Sequence, residues 1–170
     1  MTNGPIFPPA ETLMAPTLLF PLDDIDLNAV VYDTAAIEAV NPHRGHMRLL
    51  DGVNYESDDK RRYVAYFDAK DDQFWVEGHI PGRPLFPGVL MIEAAAQLAS
   101  FMTLPKLEGE AFMGFVGVDD VKFRGQVVPG DRLTLLMQET KHSKRRCTSR
   151  AQGWVKDRLA FEATIYGMPF

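Results

Sequence analysis

Cys147 is the one cysteine among 170 residues. An internal disulfide is therefore excluded, and a reducing compartment is compatible. Nothing near that thiol marks it as a nucleophile, and it reads as a small side chain in a strand. Positive charge is also in short supply: 18 Lys and Arg stand against 23 Asp and Glu, a formal net charge of −5. A chain without a basic field is not expected to bind nucleic acid. No run reads as apolar for long enough to cross a bilayer, so no membrane span is expected. Four histidines are present. Two of them, His43 and His46, stand three apart but have no cysteine or acidic cluster beside them, so no metal site is expected.

The opening stretch MTNGPIFPPAETLMAPTLLFPLDD lacks the basic leading region of a secretory signal. Pro5, Pro8, Pro9, Pro16 and Pro21 would break a helical signal core. Residues 1–27 therefore read as a proline-rich arm lying on the domain or on a partner, and a cytoplasmic location is expected. The remaining residues, 28–170, have the length of one domain with a sizeable core.

Along that domain, DTAAIEAV (33–40) reads as a short helix ended before Pro42, because proline disfavours helical geometry in its predecessor. LLDGVNYE and RRYVAYFDA read as paired strands joined at SDDK. After Ala99 the pattern returns to strands. AFMGFVGVDDVKFRG has a possible bulge at Asp119–Asp120, VVPGD is turn chemistry, and RLTLLMQET alternates Leu133, Leu135 and Met137. CTSRAQGWV and RLAFEATIYG form a last pair around Lys156–Asp157, with Leu159, Phe161, Ala163 and Ile165 expected on one face. Serial strands with short connections favour an antiparallel sheet. The segment from Val89 to Phe101 is apolar nearly all round and belongs inside. An α+β fold follows, an antiparallel sheet wrapped around one long buried central helix.

The stretch GHIPGRPLFPGVLMIEAAAQLASFM (78–102) joins a histidine in a loop to an acid in that helix. Pro81, Pro84 and Pro87 each fix a backbone φ, while Gly78, Gly82 and Gly88 permit angles that other residues avoid. The loop should have one shape, with His79 rigidly placed. Pro87–Gly88 opens the helix, and the N–H groups of Gly88 and Val89 are free donors at its positive end. A carbonyl oxygen gaining negative charge could be held there. Glu93 lies about 7–8 Å further along the axis at roughly 1.5 Å per residue, and Gln97 is one turn beyond on the same face. A carboxylate in an apolar helix needs a proton or a hydrogen bond. Gln97 can donate one, and burial favours the protonated form, which lets Glu93 act as a proton donor.

These residues resemble the signature of the 3-hydroxyacyl-[acyl-carrier-protein] dehydratases, which have the hotdog fold. AAIEAVNPHRGHMRLLDGV is similar to the family's opening helix and PHR segment, and GFVGVDDVKFRGQVVPGDRL to its later strand and VPGD turn. The resemblance runs from Asp33 to Tyr166. It departs at GHMRLLDG, where Gly45, His46 and Arg48 stand in place of a mostly apolar patch. It implies that His79 and Glu93 are catalytic, that Gly88, beside Val89, polarises the thioester carbonyl, and that Gln97 holds Glu93. Glutamate at position 93 implies the general dehydratase branch over the isomerising one. The reaction implied removes water from a 3-hydroxyacyl group on the phosphopantetheine of acyl carrier protein, giving the trans-2-enoyl thioester in fatty-acid biosynthesis, with no metal or cofactor. A homodimer or dimer-based oligomer is also implied, because in the family His and acid come from different protomers.

Two other readings are weighed. A hotdog thioesterase would use a carboxylate and water and generally lacks this His-Pro-Gly loop. A non-catalytic acyl-binding protein of dehydratase-like fold would not need the His79/Glu93 pair. The basic run KHSKRR reads as a solvated hairpin end, or, with Arg61 and Arg62, as a dock for an acidic carrier protein.

Overall fold

The computed structural model describes residues 16–107, 112–143 and 145–170. Asp33 caps the first helix, α1 (Thr34–Val40), its carboxylate accepting from the Ala36 N–H at 2.9 Å, so a first-turn donor that lacks an intrahelical partner is satisfied. Strands β1 (Gly52–Glu56) and β2 (Arg62–Asp68) follow. A short helix absent from the sequence reading, α2 (Phe74–Gly78), comes next, and then the long helix α3 (Gly88–Thr103). Four strands complete the chain: β3 (Met113–Phe123), β4 (Arg132–His142), β5 (Cys147–Val155) and β6 (Arg158–Pro169). All pairings are antiparallel, in the order β1-β2-β4-β5-β6-β3.

The inner face of this sheet wraps α3. Met91, Ala94, Ala95, Leu98 and Met102 are buried against Phe67, Leu133, Leu135, Met137, Phe161 and Ile165. The small side chains at 94 and 95 let the helix sit close to the strands. By length and composition Gly88–Lys106 could cross a bilayer after all, which corrects the sequence reading. Here the sheet satisfies that apolar surface, and Glu93 and Gln97 interrupt it. The helix is also not covered all round. Val89 is 69 % exposed, and Ile92, Glu93, Ala96 and Ala99 are only half-buried, a stripe at helical spacing that the sheet does not reach.

The outer face is not left to water. Residues 17–27 cross it, placing Phe20 in a second apolar cluster with Val64, Leu136, Trp154 and Leu159. Gln152 pins the crossing: its Nε2 donates to the Thr17 carbonyl at 3.0 Å and its Oε1 accepts from the Leu19 N–H at 2.8 Å. This explains why Leu136, out of step with Leu133, Leu135 and Met137, is fully buried too. It also corrects the expectation for Leu159. A register shift where Gly153 pairs Phe161 and Trp154 pairs Leu159 turns Leu159 to the outer face, while Phe161, Ala163 and Ile165 stay inside. The bulge expected at Asp119–Asp120 is present, with Asp120 at φ 53° and a register shift between Asp119 and Lys122.

Phe20→Ala should cost about 3 kcal/mol, the range for deleting a buried aromatic side chain. Urea unfolding measures it, and a loss under about 1 kcal/mol would mean that the crossing segment is not part of the cooperative unit.

Candidate active site

The loop between α2 and α3 is fixed at three points. The Phe86 ring is buried, stacked on Phe67 at 4.6 Å and edge-on to Trp75 at 5.3 Å. The Phe86 N–H donates to the Val127 carbonyl at 2.8 Å, which ties the loop to the VVPGD turn. His79 caps α2, its backbone N–H donating to the Trp75 carbonyl, and its Nδ1 lies 2.7 Å from the Leu85 carbonyl. A carbonyl can only accept, so Nδ1 carries the hydrogen and the Nε2 lone pair faces away, free to take a proton.

The glycines of this loop act differently from expectation. Gly82 alone needs a left-handed backbone, at φ +79°. At Gly88 a Cβ would lie 2.8 Å from the Phe123 ring, so a side chain there needs that half-exposed ring to move aside. Gly78 meets neither condition. The hydrogen bonds of α3 begin with Leu90 N–H donating to Pro87 O at 2.9 Å, so the N–H groups of Gly88 and Val89 precede the ladder.

About two turns further into α3, Gln97 is 1 % exposed and its side chain makes three hydrogen bonds. Its Nε2 donates to the Met47 carbonyl at 2.7 Å and to Glu93 Oε1 at 2.9 Å, and its Oε1 accepts from the Leu49 N–H at 2.9 Å. Turning the amide over would set its oxygen against two acceptors, so its orientation is fixed. Glu93 is not sealed off as expected: its side chain is 28 % exposed and lies at the end of a cavity of about 60 Å³. That cavity runs from His43 and Glu93 past Ser100 and Thr103 to Cys147, roughly 15 Å along the helix axis at 1.5 Å per residue. Burial raises the Cys147 thiol above its usual range, and the charge of Glu139 adds to this. A raised thiol holds less of the reactive thiolate. Nothing at Cys147 contradicts its reading as a small strand residue.

Gln97 and Glu93 are thus brought together. His79 is exposed and does not line the cavity of its own chain. His43 takes its place beside the acid, with Nε2 3.5 Å from Glu93 Oε1. From the sequence, His43 belongs to the PHR segment and to a His43/His46 pair set aside as a metal site, with no role beside Glu93. The one available signal was its place after Asn41–Pro42, which ends α1 and turns the chain toward α3. Gly45, His46 and Arg48 line a separate surface cavity: His46 lies against Phe74, and Arg48 pairs with Glu38 at 3.1 Å. Within the KHSKRR run, Lys141 and His142 end β4, and Arg146 precedes β5 with its guanidinium over the Tyr166 ring; Lys144 lies outside the described residues. Among the described residues no group of three or more His, Cys, Asp and Glu could hold a metal ion.

A family profile described as the FabA-like domain matches residues 41–164. The chain belongs to the FabA-like family. A 3-hydroxyacyl-[acyl-carrier-protein] dehydratase FabZ from Koribacter versatilis is 35 % identical over 137 residues, covering 79 % of this chain and 87 % of the relative. The same-named protein of Streptococcus pyogenes serotype M3 is 37 % identical over 134 residues, covering 78 % and 95 %. Among solved structures, the dehydratase heterocomplex ApeI:P from Xenorhabdus doucetiae matches with a TM-score of 0.66 at 15 % identity, over 78 % of this chain and 89 % of that one. Cj0977, a sigma28-regulated virulence protein from Campylobacter jejuni, matches with a TM-score of 0.65 at 16 % identity, over 86 % and 96 %. At such identities the likeness is one of fold, and the fold of this FabA-like chain is the hotdog arrangement expected from its sequence.

Gln97→Glu should destabilise the FabA-like domain, and more at pH 8 than at pH 5. The introduced carboxyl group faces the Met47 carbonyl and Glu93, so it is tolerated when protonated and repelled when ionised. The urea midpoint deficit against the unmodified protein should therefore grow as pH rises. A deficit independent of pH would show that the substituted side chain has left the node.

Proposed function

We propose that this chain eliminates water from a 3-hydroxyacyl thioester carried on acyl carrier protein, giving the trans-2-enoyl thioester of fatty-acid biosynthesis. The single observation that carries the chemistry is the Glu93 carboxyl, fixed by Gln97 at the end of a cavity along an apolar helix. The names of the FabZ relatives support the substrate class. His79 Nε2 removes a proton from C2, and the C2 electron pair forms the new double bond to C3. The C3–O bond breaks, and the hydroxyl leaves as water with the proton from Glu93. Negative charge developing on the thioester oxygen is taken by the N–H groups of Gly88 and Val89 at the start of α3. Every proton is accounted for by these two side chains, so the reaction as written requires no metal or redox cofactor. The names of the FabZ relatives favour dehydration over thioester cleavage.

The complete site is a property of two copies. His79 and Glu93 do not share a cavity within one chain. β3 is an edge strand that exposes Phe115, Val116 and Phe123, and Phe123 touches Gly88. An apolar edge beside an uncovered helix face is a surface that natural proteins cover. A homodimer joined there brings the loop of one copy toward the acid of the other. In this reading residues 28–170 are the catalytic domain, residues 17–27 of the proline-rich arm close the back of its sheet, residues 1–15 of that arm lie outside the described residues, and the location is cytoplasmic.

His79→Ala and Glu93→Ala should each lower kcat on a 3-hydroxyacyl thioester by about a hundredfold or more, as loss of a general acid or base does, with thermal unfolding unchanged. Equal parts of the two variants, unfolded and refolded together, should recover about a quarter of the original activity: half the dimers are mixed, and one of their two sites is intact. Absorbance of the enoyl thioester reads the product. No recovery on mixing would place both groups of a site in one chain, and free thiol as the product would make the protein a thioesterase.

A further inference from the structure

We infer that His43 is a positioning residue of the dehydration site, which with Gln97 fixes which oxygen of Glu93 carries the transferred proton. This rests on the reading of Glu93 as the acid. The segment Asn41–Pro42–His43 follows one turn of α3. Asn41 Nδ2 donates to the Gln97 carbonyl at 2.8 Å, and His43 Nε2 reaches to 3.5 Å from Glu93 Oε1. Arg44 locks that segment by donating to the carbonyls of Asn41 and His43 at 2.7 and 2.8 Å. His43 is therefore held by its backbone.

The ring nitrogen that faces the acid selects the tautomer. Nδ1 of His43 is buried with no hydrogen-bond partner among the described residues, in either neutral tautomer. A lone pair on Nε2 would set two acceptors together, because Glu93 Oε1, 3.5 Å away, already accepts from Gln97 Nε2 at 2.9 Å. The neutral ring is thus the Nε2–H tautomer, its contact with Oε1 longer than a closed hydrogen bond. Two donors on the side of one oxygen make it the acceptor oxygen of the protonated acid, because an oxygen carrying its own hydrogen would oppose them. Among the described residues neither contact involves Oε2. The proton delivered to the C3 hydroxyl sits on Oε2.

Three variants separate a positioning role from a packing one. Gln reproduces the N–H at the Nε2 position, Asn places it nearer the Nδ1 position, and Leu keeps bulk without a donor. On 3-hydroxyacyl thioesters, His43→Leu and His43→Asn should lose about tenfold or more in kcat with KM within about twofold, the size of a hydrogen bond to a charged or proton-bearing group. His43→Gln should retain most of the rate. If the Leu variant fails to fold, the Gln-against-Asn contrast carries the test. Equal rates for Gln and Asn, or a folded Leu variant within about twofold of the original, would overturn the inference. Histidine ¹⁵N NMR of the unmodified protein reads the tautomer without any turnover: Nε2–H is expected at His43, and Nδ1–H overturns the assignment. An unmodified protein that turns over no 3-hydroxyacyl thioester, yet shows Nε2–H at His43, would refute the proposed reaction and not the tautomer.

Discussion

The Gln97 amide is the constraint from which the site is built. A helix wrapped by a sheet can carry a carboxyl on its uncovered side only if something holds that group against solvent and against the apolar wall. Gln97 does so from within the core, because all its bonds go to groups that cannot move independently: two backbone atoms of the 47–49 segment and the acid one turn away. The same amide fixes the depth at which that segment packs against α3. Folding and chemistry share one side chain here, and a change that loosens one loosens the other.

The histidine loop solves the complementary problem. His79, the base of the proposed reaction, is presented at the surface of its own chain, yet its loop is held as firmly as a core segment. Three prolines narrow the backbone, Phe86 anchors it between Phe67 and Trp75, and the Val127 carbonyl receives its N–H. His79 then needs one more bond, to Leu85, to set its tautomer. The VVPGD turn, distant in sequence, is therefore part of the loop's support. Rigidity on one side and an uncovered helix face on the other suit a site completed by a second copy.

Much of this arrangement is written in short-range patterns. The length of α3, the strand pairs, the Asp119–Asp120 bulge and the Glu93–Gln97 contact all follow from periodicity, turn residues and the four-residue repeat of a helix. A rigid His79 follows from proline spacing. These features depend on neighbours a few residues away, and local chemistry specifies them.

Other features needed the folded chain, for one physical reason: they join segments whose separation in sequence carries no signal. Helix periodicity gives the apolar character of α3 but not which side the sheet leaves bare, so Val89 and Glu93 were expected to be buried and are not. A one-residue register shift moved Leu159 to the other face of the sheet, and the arm's crossing buried Leu136 behind it. Gly88 lies against the Phe123 ring, 35 positions later in the chain. His43 reaches Glu93 only because α1 ends where it does and the chain turns back along α3. The sequence by itself determined the elements, the stiffness of the loop and the Glu93–Gln97 contact on the helix. Tertiary packing alone decided which groups meet, because proximity across a sheet and a helix is set by register, which a run of residues does not contain.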